Sequence, residues 1–208
     1  MSSARTEILT RLKTALKSTA RQTEPPLIPA RGLVKGQACI DAFVEEAIYG
    51  LAEVVRLKVV TEIPKALTKI LNDAETTKLK AAPHADLQSL DWSGVDVEFG
   101  RGEADDLVAL SVAFAGVAET GTLVMRSGVD APTTLNFLPD VHVVVMYAGD
   151  IEGNYEAVWQ RLKTENKMLP RTVNWITGPS RTADIEQTML LGAHGPRKLV
   201  ILLINEKA

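Results

Sequence analysis

Two polar clusters carry residue types able to bind or transform a ligand. In "VAETGTLVMRSG" (117–128) an apolar run admits Glu119, then Thr120, Gly121 and Thr122, before turning apolar again. A carboxylate in that setting must reach water, pair with a cation or meet a ligand, because unpaired burial is costly. Arg181, Arg126 and Arg101 are its candidate partners. Gly121 also suits a turn or bulge and threonines suit strands, so plain architecture is an equally open reading. In "WITGPSRTADIEQT" (175–188), Ser180, Arg181, Thr182 and Asp184 follow an apolar stretch and open what reads as a helix. Hydroxyls there serve as caps, and the same unpaired amides can cradle an anion with Arg181 adding charge-assisted hydrogen bonds. His194, in "GAHGP", either ends that helix or acts as an acid–base group.

The candidate ligand set is therefore Glu119, Thr120, Gly121, Thr122, Ser180, Arg181, Thr182 and Asp184, with Glu119 and His194 as weak catalytic candidates. Phosphate-loop, dinucleotide, zinc-protease and nucleophile-elbow signatures are missing. His84, His142 and His194 lie far apart in unlike contexts, which gives no metal-ligand spacing. One cysteine, Cys39, supplies neither a disulfide nor the thiolates of an iron–sulfur cluster. A net charge of -3 with scattered Lys and Arg gives no electrostatic reason for nucleic-acid binding. No signal-peptide core and no membrane-length apolar run appear, so a cytoplasmic location is expected.

The elements that must position these residues alternate. Residues 5–19 form an amphipathic helix carrying Ile8, Leu12, Ala15 and Leu16 on one stripe, followed by a connector with Pro25, Pro26 and Pro29. The expected organisation is this arm and connector over 1–35, then one domain over 36–208. Within it, helices are expected at 40–49, 64–71, 153–163 and 181–192. Strands are expected at 54–60, 78–81, 95–99, in a β-rich block over 107–125, and at 142–149, 173–178 and 198–205. Alternation of this kind predicts an α/β fold of three layers around a mainly parallel central sheet, with the ligand crevice where strands run into helices.

The stretches "AGVAETGTLVMRSG", "LNFLPDVHVVV" and "GPSRTADIEQTMLLGAHGPRKLVILLI" resemble the lactate utilization protein C family, the stand-alone members of the LUD-domain group, from about Phe43 to Ile204. The resemblance implies a fold like the NagB/ribose-5-phosphate isomerase/CoA-transferase superfamily. It also implies an accessory role in bacterial oxidation of L-lactate to pyruvate, with iron–sulfur clusters held by partner proteins and none in this chain. The alternative, from the superfamily alone, is a self-sufficient enzyme acting on a phosphosugar or CoA ester, for which Glu119 is a candidate nucleophile.

Overall fold

The computed structural model describes residues 3–18, 27–165, 169–183, 189–191 and 194–205. In chain order the helices and strands are α1 Ser3–Ser18, α2 Gln37–Tyr49, β1 Glu53–Leu57, α3 Ile63–Asp73, β2 Lys78–Ala81, α4 Ala85–Gln88, β3 Asp96–Phe99, β4 Val108–Val112, β5 Ala115–Val117, β6 Thr122–Arg126, β7 Val141–Tyr147, β8 Ile151–Glu152, α5 Tyr155–Glu165, β9 Val173–Ile176, β10 Arg181–Ala183, β11 Met189–Leu191 and β12 Lys198–Ile204. Pro64 stands in the first turn of α3, where its missing N–H costs nothing. Asn154 opens α5 by accepting from the Ala157 amide at 2.9 Å.

Six strands form an all-parallel sheet in the order β1-β12-β7-β4-β2-β3. Its central strands are buried on both faces, which is why they read as unbroken apolar runs. Along β7 and β12 the side chains separate with period two. Val143, Val145, Val200, Leu202 and Ile204 pack with Leu67 and Ile70 of α3, whereas Val144, Met146, Leu199, Ile201 and Leu203 pack with Phe43 and Ala47 of α2. A four-stranded sheet, β8-β5-β6-β9, lies on this second side, and α5 covers its far face through Val158 and Leu162. The α/β class and parallel central sheet are as expected; the added mixed sheet is what the reading of residues 107–125 as one block missed. The chain leaves one sheet for the other between adjacent residues: the Ala113 amide bonds Val145 O of the large sheet, and the Phe114 amide bonds Val124 O of the small one.

The expected helix over 181–192 is not formed. Its described parts, β10 and β11, pair antiparallel with Arg181 opposite Leu191 and Ala183 opposite Met189. The reason lies just upstream. The Ser180 amide, which a helix start would leave open, donates to Pro196 O at 2.8 Å and draws the backbone out extended. Helical apolar spacing over one short segment loses to that cross-chain pairing.

Candidate functional site

Glu119 sits in the turn between β5 and β6 and is buried. Its partner is none of the expected arginines. Arg31 Nε lies 3.3 Å from Glu119 Oε1, reaching it from the segment that precedes α2. Asn154 anchors the same segment by donating to Gly32 O at 2.7 Å. Gly121 has φ 61, and a Cβ there would overlap the Ala47 amide nitrogen of α2. The glycine therefore answers a close backbone approach in a left-handed turn.

Thr120 and Thr122 belong to a hydroxyl cluster. Thr120 Oγ1 lies 2.7 Å from Thr122 Oγ1 and 2.8 Å from the Tyr155 hydroxyl; Thr122 Oγ1 lies 3.0 Å from Tyr155 and 2.6 Å from Thr177 Oγ1. The cluster ties the β5–β6 turn to the start of α5 and the end of β9. The Tyr155 ring also packs on Trp175 at 5.1 Å. Thr177 and Trp175 are in turn walls of a cavity of about 250 Å³.

That cavity lies at the amino ends of β7 and β12, marked by His142 and Leu199, the second residue of each strand. Its polar lining comes from Asn136, His142, Thr177, Ser180 and His194; Phe137, Trp175, Ile176 and Leu199 supply apolar walls. His142 is fully buried, and burial pushes its pKa down to about 3, so the ring is neutral. Nε2 lies 2.7 Å from Ser111 Oγ. Either atom can donate in this bond: the hydroxyl donates when the ring proton is on Nδ1 and accepts when it is on Nε2. Nδ1 has no partner among the described residues.

The expected site residues thus divide. Ser180 and His194 meet at the cavity; Thr120 and Thr122 brace its wall through Thr177; Glu119 and Gly121 lie in the separate Arg31 and α2 contacts. Arg181 is exposed and donates to Gly50 O at 3.4 Å, behind Gly178. With β10 in place of a helix, no helix start stands at Arg181 to hold an anion. Thr182 lies in β10, and Asp184 falls outside the described residues. Asn136, Ser111 and His142 are the members that the sequence reading missed. Among the described residues no group of three or more His, Cys, Asp or Glu side chains could hold a metal ion, and no helix is long and apolar enough to cross a membrane.

Comparison with known proteins gives this arrangement relatives. An uncharacterized protein of Neisseria meningitidis serogroup B is 40% identical over 94 residues, covering 45% of this chain and 40% of that protein. Lactate utilization protein C of Anoxybacillus flavithermus is 33% identical over 91 residues, covering 44% of this chain and 40% of that protein. Lactate utilization protein C of Bacillus pumilus is 35% identical over 104 residues, covering 48% and 43%. The matched segments span less than half of each relative's own length. A solved DUF162 family protein from Deinococcus radiodurans shares the fold, with TM-score 0.58 and 21% identity over 82% of this chain and 99% of that one. The LUD domain family model matches residues 43–204, from Phe43 in α2 to the end of β12 and across every cavity-lining residue, and the chain belongs to the LUD domain family.

Proposed function

We propose that this chain is a non-redox component of a bacterial L-lactate oxidation system, working with iron–sulfur partner proteins and holding a small monocarboxylate in the cavity at His142. The names of its relatives support the pathway. One observation carries the site: a buried, neutral histidine with an unpartnered Nδ1 on a lining that has neutral donors and apolar walls. In the Nδ1–H tautomer a carboxylate oxygen that reaches this buried nitrogen satisfies it, and the Ser180 and Thr177 hydroxyls and the Asn136 amide are further polar groups in the lining. The methyl group of lactate or pyruvate has apolar surface to meet. At about 250 Å³ the space falls below the roughly 300–1,000 Å³ of drug-sized sites and suits a small metabolite. Among the described residues the lining has no Lys or Arg side chain, which argues against a phosphosugar or CoA ester in this cavity. Electron transfer belongs to the partners.

The test is calorimetric titration of the purified chain with pyruvate, L-lactate and acetate, alongside Ser180→Ala and His194→Ala. Saturable binding of pyruvate or lactate, weakened in the folded variants, supports the reading. No binding, together with failure to copurify with iron–sulfur proteins from cells grown on lactate, removes it.

A further inference from the structure

A second, larger cavity of about 690 Å³ opens beyond the carboxyl ends of β2 and β3. Arg101 follows β3, Arg171 precedes β9, Ser127 follows β6, and Thr133 begins the 3-10 turn Thr133–Asn136. Register explains how these meet. Ala81 pairs with Leu110, and Leu110 with Val143, so the short β2 ends level with the start of β7 and leaves a step in the sheet.

The charge in this cleft is one-sided. Among the described residues no carboxylate is part of its lining, the Asp130 carboxylate beside Gly128 lying 3.8 Å from Arg126, and neither Arg101 nor Arg171 has an ion pair. The cavity beyond it shows the opposite pattern: Arg161 is held by Asp150 at 2.7 Å and Glu165 at 2.6 Å, and Arg126 lies 3.8 Å from Asp130. In a chain of net charge -3, two arginines without ion pairs lining one cleft favour an anion there. Ser127 Oγ accepts from the Thr172 amide at 3.0 Å, which leaves its own hydrogen to donate. Pro83, Pro132 and Val129 give the remaining wall an apolar character.

We infer that this cleft binds an organic phosphate of about nucleotide size. The guanidiniums can each grip phosphoryl oxygens through two parallel hydrogen bonds, Ser127 and Thr133 add hydroxyl donors, and the ring-bearing body lies on the proline wall. Its volume falls inside the range of ligand sites and exceeds what a bare phosphate fills. The two sites differ in chemistry: neutral donors select a monocarboxylate at His142, whereas paired guanidiniums select a polyanion here. The inference goes beyond the lactate reading and stands without it.

The probes are ADP, adenosine and inorganic phosphate, titrated into the full chain at low salt. ADP is expected to bind saturably, more tightly than adenosine or phosphate, and to weaken by about tenfold or more in Arg101→Gln and in Arg171→Gln. Unchanged melting temperatures in both variants keep the comparison clean, and unchanged pyruvate affinity separates this cleft from the His142 cavity. Absence of ADP binding, or equal ADP affinity in the double variant, overturns the assignment; phosphate binding as tightly as ADP overturns the nucleotide-sized class.

Discussion

Ser111 and His142, on neighbouring parallel strands, share a buried hydrogen bond of 2.7 Å that ties the imidazole Nε2 of β7 to β4. Ser111→Ala removes the hydroxyl and leaves Nε2 without its partner in the core. The expected loss is about 1–3 kcal/mol of stability, measured by denaturant unfolding, with weaker pyruvate binding in calorimetry. Unchanged affinity in the folded variant would assign this bond to stability and not to binding.

The same histidine makes stability depend on pH. Its folded pKa, about 3, lies below the ordinary 6.5, so the unfolded chain takes up the proton first as pH falls. The contribution is fully present above about pH 6.5 and is lost progressively toward pH 3. At pH 5 the deficit from this group is about 2 kcal/mol, from one and a half pKa units at roughly 1.4 kcal/mol each. Unfolding curves at pH 7 and pH 5 should show it, and the slope should flatten in His142→Asn.

Glu119→Gln tests what the Arg31 pair does. Arg31 is two-thirds exposed, so the pair is worth at most about 1 kcal/mol. The sharper expected effect is local: trypsin should cut at Arg31 faster, because the segment before α2 loses one of its anchors. Arg181→Lys should leave the cutting rate unchanged, since Arg181 bonds Gly50 O and not Glu119.

Gly121→Ala should destabilise by about 3 kcal/mol or more, read as a fall in the denaturation midpoint, because a left-handed φ and a collision with α2 backbone add together.

Deleting residues 1–24 should leave the melting temperature within about 2 °C of the full chain, since Ile8, Leu9 and Leu12 of α1 are exposed. Weaker copurification of iron–sulfur proteins by the shortened chain is the expected functional effect. A large drop in melting temperature would assign the arm to the core.

The buried strands were legible because burial on both faces writes itself as uninterrupted Val, Leu and Ile. Ser180 and His194 were legible as candidates because polar groups beside Gly and Pro mark a turn with donors to offer. His142 was not: it precedes Val143, Val144 and Val145 in one apolar run, and its meaning depends on Ser111, 31 positions earlier. Arg31 was equally hidden, since nothing near it announces a partner 88 positions away. Segments 181–183 and 189–191 were misread because they pair with each other beside the Ser180–Pro196 bond, contacts between segments, while local periodicity favours a helix.

Cys39 gives the molecule a built-in clock. It is buried on the inner face of α2 with its thiol toward Ile151 O at 3.9 Å, and burial, aided by the charge of Glu152, raises its pKa and suppresses the reactive thiolate. A thiol reagent approaches it through the cavity of about 260 Å³ that it lines with the 32–36 segment and β8, and openings of that cavity set its access. As the single cysteine in the chain, it lets labelling kinetics count those openings directly. A ligand that slows labelling must be binding the closed form, so the same reaction measures ligand-dependent opening without any engineered probe.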